Sequence, residues 1–191
     1  MLSYTDLKPD TNFTKDGQPY TVLDYNHIKK QRGAPVVQLK VRNIITGKTR
    51  EMAARQNDEF EEAKIKEVPA EFIYYQDHHK EYWFKAPDKP GERFPLSKEF
   101  LGEASNYLKP GVEVKVIKFK GEAVDIKLPV KIDLKVTQAP PSVKGNTAEG
   151  GTKKVTVETG YKVNTPLFIE KGDVIRVNTE TGEYSERVEK A

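Results

Sequence analysis

The chain has 191 residues, 32% of them charged and 36% hydrophobic, which allows more than one small domain but not a large enzyme with a deep catalytic cleft. Its formal charge of +3 is a weak bias, so any affinity for nucleic acid has to come from where the charges sit. The absence of cysteine excludes disulfides, zinc–thiolate sites and thiol catalysis.

Residues 1–64 read as short strands with turn punctuation. Lys15-Asp16-Gly17-Gln18 precedes an apparent strand at Tyr20-Thr21-Val22-Leu23, and Thr46-Gly47 separates two further strands. Val36 to Arg42 alternates in its second half, as a half-buried strand does. Residues 65–128 continue with Phe72 to Tyr75, Tyr82 to Phe84 and Val112 to Ile117. One helix is expected from Ser97, a plausible N-cap, to Tyr107, with Phe100, Leu101, Ala104 and Leu108 as its apolar stripe. Residues 129–191 open with the period-two strand Val130 to Val136, then a loop holding Pro140-Pro141, Gly145 and Gly150-Gly151. Strands resume at Val155 to Val157, Tyr161 to Val163, Val174 to Val177 and Tyr184 to Val188, separated by glycine-bearing turns.

The pattern predicts a mostly β chain of three small modules, 1–64, 65–128 and 129–191. Modules this small close into barrels to remove edge strands, and five-stranded oligonucleotide-binding (OB) barrels suit the second and third. Met1 to Asp6 lacks the basic stretch and apolar core of a signal peptide, and no apolar run approaches the ~20 residues of a membrane helix. A soluble, cytoplasmic protein without membrane attachment is expected.

Tyr25 to Arg50 contains Lys29, Lys30, Arg32, Lys40, Arg42, Lys48 and Arg50 and no Asp or Glu, which is +7 against a total of +3 and leaves −4 for the rest. An edge strand bearing lysines against aggregation would explain part of this. The loop Lys29-Lys30-Gln31-Arg32-Gly33-Ala34-Pro35 favours a second reading, because three cations over four residues have no local acid to pair with. Such a tip attracts phosphate by counterion release.

Other constellations carry less. His78-His79 beside Asp77 and Glu81 has no third well-placed metal ligand and reads as a polar turn, so no metal site is assigned. No nucleophile elbow, triad spacing or phosphate-cradling glycine loop is present, so neither catalytic residues nor a cofactor are expected. Tyr74, Tyr75, Tyr82, Trp83 and Phe84 would stack bases if exposed, but most are expected in the core. Lys144-Gly145-Asn146-Thr147 is either a plain surface loop or a contact for phosphate and ribose hydroxyls.

Taken with their order, these residues resemble elongation factor P. The resemblance rests on Gly145-Asn146-Thr147-Ala148, Glu158-Thr159-Gly160, Pro166 to Ile169, Gly172 to Ile175 and Thr181 to Tyr184 in the last module, and on Gly17 to Val22, Lys40 to Asn43 and Thr46-Gly47 in the first. Asn146 departs from the family's usual Asp, and Val155 and Thr165 from its Ala and Val. The resemblance implies a KOW/SH3-like first barrel ahead of two OB barrels, in an elongated L-shape. It implies a monomer that binds the 70S ribosome between the peptidyl-tRNA and exit sites and relieves stalling at consecutive prolines by positioning the peptidyl-tRNA. Gap-free spacing from both flanks puts Arg32 at the family's functional tip residue, with Lys29, Lys30, Gln31 and Gly33 along the tRNA acceptor end. Arg32 either receives a sugar such as rhamnose from an arginine-modifying enzyme or works unmodified. Lys144 to Thr147 falls where the family meets the small-subunit or exit-site side, and Tyr184 and Arg187 where it faces the tRNA body. The competing function is a general single-stranded RNA-binding OB protein; a small hydrolase lacks a His or carboxylate pair to support it.

Overall fold

The computed structural model describes residues 1–28, 36–141 and 151–191. It divides into two compact units, Met1–Val68 with Val116–Asp125, and Pro69–Lys115 with Ile126–Ala191. Among the described residues the structure is mostly β, arranged in three sheets.

The first sheet contains β1 (Leu2–Ser3), β2 (Asn12–Lys15), β3 (Gln18–Ile28), β4 (Val36–Asn43), β5 (Thr49–Arg55) and β6 (Glu59–Glu62), in the order β1-β6-β2-β3-β4-β5. All its pairings are antiparallel. Strand alternation turns one side inward, so Leu7, Phe13, Tyr20, Val22, Val37, Leu39, Val41, Ala54 and Phe60 form a single core.

The second sheet contains β7 (Ile65–Gln76), β8 (Glu81–Ala86), β9 (Lys89–Ser97), β10 (Glu113–Phe119) and β11 (Glu122–Lys127), ordered β11-β10-β7-β8-β9. The third contains β12 (Lys131–Gln138), β13 (Thr152–Val157), β14 (Lys162–Pro166), β15 (Val174–Asn178) and β16 (Tyr184–Glu189), ordered β14-β13-β12-β15-β16. Both five-stranded sheets therefore place their first strand centrally, between the second and the fourth. In the third sheet the edge strands β14 and β16 also meet, as barrel closure requires. Its core holds Leu134, Val136, Val155, Val163, Ile169, Ile175 and Val177.

Two local expectations change. The helix expected over 97–107 is one α-helical turn, α1 (Lys98–Leu101), followed by a 3-10 helix at Gly102–Tyr107. Ser97 does cap it, accepting the Phe100 N–H at 3.1 Å. The left-handed Gly102 (φ 51°) then ends the α-helical path, so Leu101 and Leu108 are buried while Phe100 stays exposed. The aromatic cluster of β7 and β8 is also less buried than expected. Alternation sends Tyr82 and Phe84 inward, leaving Trp83 half-buried and Tyr74 and Tyr75 exposed by 41% and 37%. Trp83 stacks on Tyr74 with centroids 6.2 Å apart and donates its indole N–H to Gln76 at 3.1 Å. His78 and His79 lie in the turn after β7, as read from the sequence.

The same turn, Asn-x-x-Thr-Gly, closes both the β4–β5 and the β15–β16 hairpins. Asn43 Oδ1 accepts the N–H groups of Ile45 and Thr46, each at 2.9 Å, and Gly47 N–H returns to the Asn43 carbonyl at 2.9 Å. Asn178 repeats this with Glu180 (2.8 Å), Thr181 (3.2 Å) and Gly182 (2.8 Å). The glycines have φ 67° and 74°, where a side chain is strained. They differ in what surrounds them. A Cβ on Gly47 would meet only the end of Arg42 at 3.8 Å, whereas on Gly182 it would lie 3.0 Å from Tyr161 Oη and 3.2 Å from Tyr107 Oη. Gly182→Ala is therefore expected to lower stability by ~2 kcal/mol and Gly47→Ala by ~1 kcal/mol. Paired thermal melts check this; equal losses would mean that the two tyrosines simply move aside.

Candidate nucleic-acid interface

The strands that carry the basic tip are β3 and β4, paired in register from Tyr20↔Asn43 to Ile28↔Val36 with one irregularity between Val22 and Asp24. Val37, Leu39, Val41 and Asn43 face the core, which leaves Gln38, Lys40 and Arg42 exposed. The base of the pair is pinned by the buried Asn43, whose side-chain amide also donates to Gln18 Oε1 at 2.6 Å. Arg50 lies over the Tyr20 ring at 4.5 Å. Further along, Tyr25 packs against the core and meets His27 edge-on, with centroids 4.9 Å apart and a hydrogen bond between hydroxyl and ring nitrogen.

Strand pairing modifies the charge reading. Lys40 sits in register between Asp24 on β3 and Glu51 on β5, acids that flank the acid-free stretch in sequence and adjoin it in space. Glu51 also accepts from Gln38 at 3.1 Å. Lys40 is thus balanced across the sheet, while Arg42, Lys48 and Arg50 cluster at the β4–β5 turn end. The residues assigned to the tip, Lys29, Lys30, Gln31, Arg32 and Gly33, lie outside the described residues, as do Lys144, Gly145, Asn146 and Thr147. What the structure gives for the tip is its mounting.

Tyr184 and Arg187 are described. Both are half-buried on β16, opposite Val177 and Ile175. The Arg187 guanidinium reaches Asp173 Oδ2 at 3.5 Å and covers the Phe168 ring at 5.0 Å. Asp173 is 1% exposed, and sequence reasoning missed its role because two of its three partners, Arg187 and Ala191, lie 14 and 18 positions away. Burial alone would push its carboxyl pKa up. The N–H groups of Glu170 and Ala191, each at 2.9 Å, together with Arg187, outweigh that and hold it below the usual carboxylate value. Arg187 therefore anchors β16 as well as offering an exposed edge.

A depressed folded-state pKa stabilises the protein above the unfolded value of ~3.9 and ceases to do so as pH falls through the folded value. Asp173→Ala is expected to cost ~3 kcal/mol at pH 7, because it leaves the Arg187 charge and two N–H groups unpaired. The gap from wild type should narrow below pH ~4. Urea unfolding at pH 7 and pH 3 measures both effects.

A second ionic set, Arg176 with Asp133 (2.7 and 3.0 Å) and Glu186 (2.8 Å), crosses three strands in register. The Arg176 hydrogen bonds lower the Asp133 pKa. These groups satisfy one another and read as a sheet clamp. Among the described residues no helix is long and apolar enough to cross a membrane.

Comparison with known proteins agrees with this arrangement. Residues 3–60 match the family description "Elongation factor P (EF-P) KOW-like domain" and residues 132–187 match "Elongation factor P, C-terminal". Over 188 residues, covering 98% of this chain and 100% of each relative, the chain is 38% identical to the elongation factor P proteins of Finegoldia magna and Clostridium perfringens strain SM101. It is 35% identical to that of Carboxydothermus hydrogenoformans over the same span. Among solved structures it resembles translation initiation factor 5A from Methanococcus jannaschii, with a TM-score of 0.52 and 19% identity over 67% of this chain and 90% of that one. A family member from Naegleria fowleri aligns with the same TM-score at 15% identity, over 66% and 96%. At those identities the structural likeness speaks to fold. The curated relatives and both family matches settle the rest: the chain belongs to the elongation factor P family of translation elongation factors, with a ribosome-associated function.

Proposed function

We propose that the protein binds the 70S ribosome between the peptidyl-tRNA and exit sites and speeds peptide-bond formation at consecutive prolines. It acts as a cytoplasmic monomer of three modules, 1–64, 65–128 and 129–191. Arg32 reaches the tRNA acceptor end, flanked by Lys29, Lys30, Gln31 and Gly33. Lys144 to Thr147, Tyr184 and Arg187 contact the small-subunit side and the tRNA body. The protein performs no chemistry of its own: it holds the peptidyl-tRNA in a reactive geometry, a largely entropic contribution.

The observation that carries this reading is the β3–β4 pair. Its register is pinned at the base by Asn43 and along its length by Val37, Leu39 and Val41, and it leads into a loop with three cations over four residues. A rigid mount for a cationic tip is what positional help requires. The other reading, a general single-strand RNA binder, draws on the Tyr74–Trp83 stack, of which Tyr74 is exposed. It predicts tight binding to naked RNA and no special dependence on the tip.

The test is reconstituted translation through a three-proline template with recombinant, unmodified protein. Faster synthesis than in its absence supports the reading and shows that Arg32 works without modification. If only protein from its native host is active, mass spectrometry of the tip peptide should reveal the group added by an arginine-modifying enzyme. Inactivity of both preparations sinks the proposal.

A further inference from the structure

The third sheet presents a surface to which no role has been given. On β13, Val155 and Val157 point into the core, and on β14 so do Val163 and Thr165. The opposite face therefore carries Lys154 and Thr156 from β13 and Lys162 and Asn164 from β14. Register aligns Gln138 with Thr156 and Thr156 with Lys162, in one row across three strands, with Lys154 and Asn164 paired in the next. Gln138, Ala139, Pro140, Lys154, Thr156 and Lys162 enclose an open cleft of about 440 Å³.

The chemistry of this cleft is one-sided. Among the described residues it offers two ammonium groups, an amide and a hydroxyl, and none of those lining it is a carboxylate. Neither Lys154 nor Lys162 forms an ion pair among the described residues. The acid just past the end of β13, Glu158, is already engaged by Lys109 at 3.4 Å and by the Lys135 N–H at 2.9 Å. Two uncompensated cations on one concave face repel each other and hold mobile counterions. A polyanion that displaces those counterions gains their release entropy. The cleft lies on the second- and third-strand face of a five-stranded barrel, the face such barrels use for oligonucleotides. None of the described residues lining it is aromatic, so it suits backbone rather than base.

We propose that the β12–β14 cleft binds the phosphodiester backbone of an RNA strand, with Lys154 and Lys162 each neutralising a phosphate and Gln138 and Thr156 meeting ribose hydroxyls. The choice of RNA as partner rests on the ribosome-bound reading. The surface itself adds a sequence-independent contact remote in sequence from the tip.

The test compares wild type with K154E/K162E and with K131E/K171E, which makes the same charge change at exposed positions outside the cleft. Each is titrated by fluorescence anisotropy against 70S ribosomes and against a mixed-sequence 30-nucleotide single-stranded RNA, between 50 and 200 mM salt. Circular dichroism checks folding, and K154Q/K162Q, which only removes the charges, serves as the milder variant. Losing two phosphate contacts is expected to flatten the log–log salt slope by about 1.4 and to weaken binding about 25-fold near 0.1 M salt, with K131E/K171E close to wild type. An unchanged slope in K154E/K162E, or an equal loss in K131E/K171E, overturns the proposal. If wild type does not bind ribosomes, the functional reading fails on its own, and the RNA titration still decides whether the cleft binds a strand.

Discussion

Arg32→Ala is expected to return synthesis through consecutive prolines nearly to the factor-free rate, a loss of ~10²-fold in stimulation, while weakening ribosome affinity by only about fivefold. The two magnitudes have different origins. One cation lost from a phosphate-rich surface forfeits roughly one released counterion, which at 0.1 M salt is worth about fivefold in binding. Misplacing a reacting group by about an ångström costs far more in rate. A tip that works by position should therefore fail in rate well before it fails in binding. Arg32→Lys keeps the charge but loses the planar fork, so intermediate stimulation with near-normal affinity is expected. Stopped-flow kinetics and ribosome pelleting on the same preparations separate the two effects. If affinity and rate fall together by the same factor, Arg32 is a binding residue and the positional account is wrong.

The second large effect lies far from the tip. Phe13 is fully buried, stacked on Tyr20 at 5.7 Å and edge-on to Phe60 at 5.3 Å, so it joins β2, β3 and β6 in one core. Phe13→Ala is expected to cost ~4 kcal/mol, much of what a domain this size has in reserve. The β3–β4 pair draws its rigidity from that core, so stimulation should fall with Arg32 still present. Hydrogen exchange provides the readout: amides of Val37, Leu39 and Val41 should lose protection by several orders of magnitude. Retained protection would show that the core closes around the gap.

How much of this the amino-acid sequence discloses depends on the range of the forces involved. The strands β3, β4 and β12 were readable because their alternation is a local imprint of one buried face, and Ser97 because a cap acts within three residues. β9 was not, since Lys89–Ser97 includes Pro90, Gly91 and Pro95 and lies at a sheet edge, where pairing on one side tolerates them. The short strands β1 and β6 are set by pairings far along the chain, Leu2 with Phe60 and Phe13 with Glu62. The same limit governs the charged groups. Asp24 and Glu51 balance Lys40 through register, and Asp173 meets Arg187 across a hairpin, neither of which a window of sequence reveals. For the tip and the 144–147 loop, spacing against a family pattern does what periodicity cannot.

The placement of β12 has a consequence for how this protein is itself made. Its first residue, Lys131, pairs with Asn178, which is 47 positions later. At 5–20 residues per second, β12 leaves the peptidyl-transferase centre about 2–9 s before that partner exists. Until β15 emerges, β12 can pair with β13 only at Val136 and Gln138, so Ile132 and Leu134 remain an unpaired apolar edge. Lys131, Asp133 and Lys135 alternate with them, and charges on a waiting strand disfavour pairing with another nascent chain. The strand β12 thus carries its own protection against aggregation while it waits for β15.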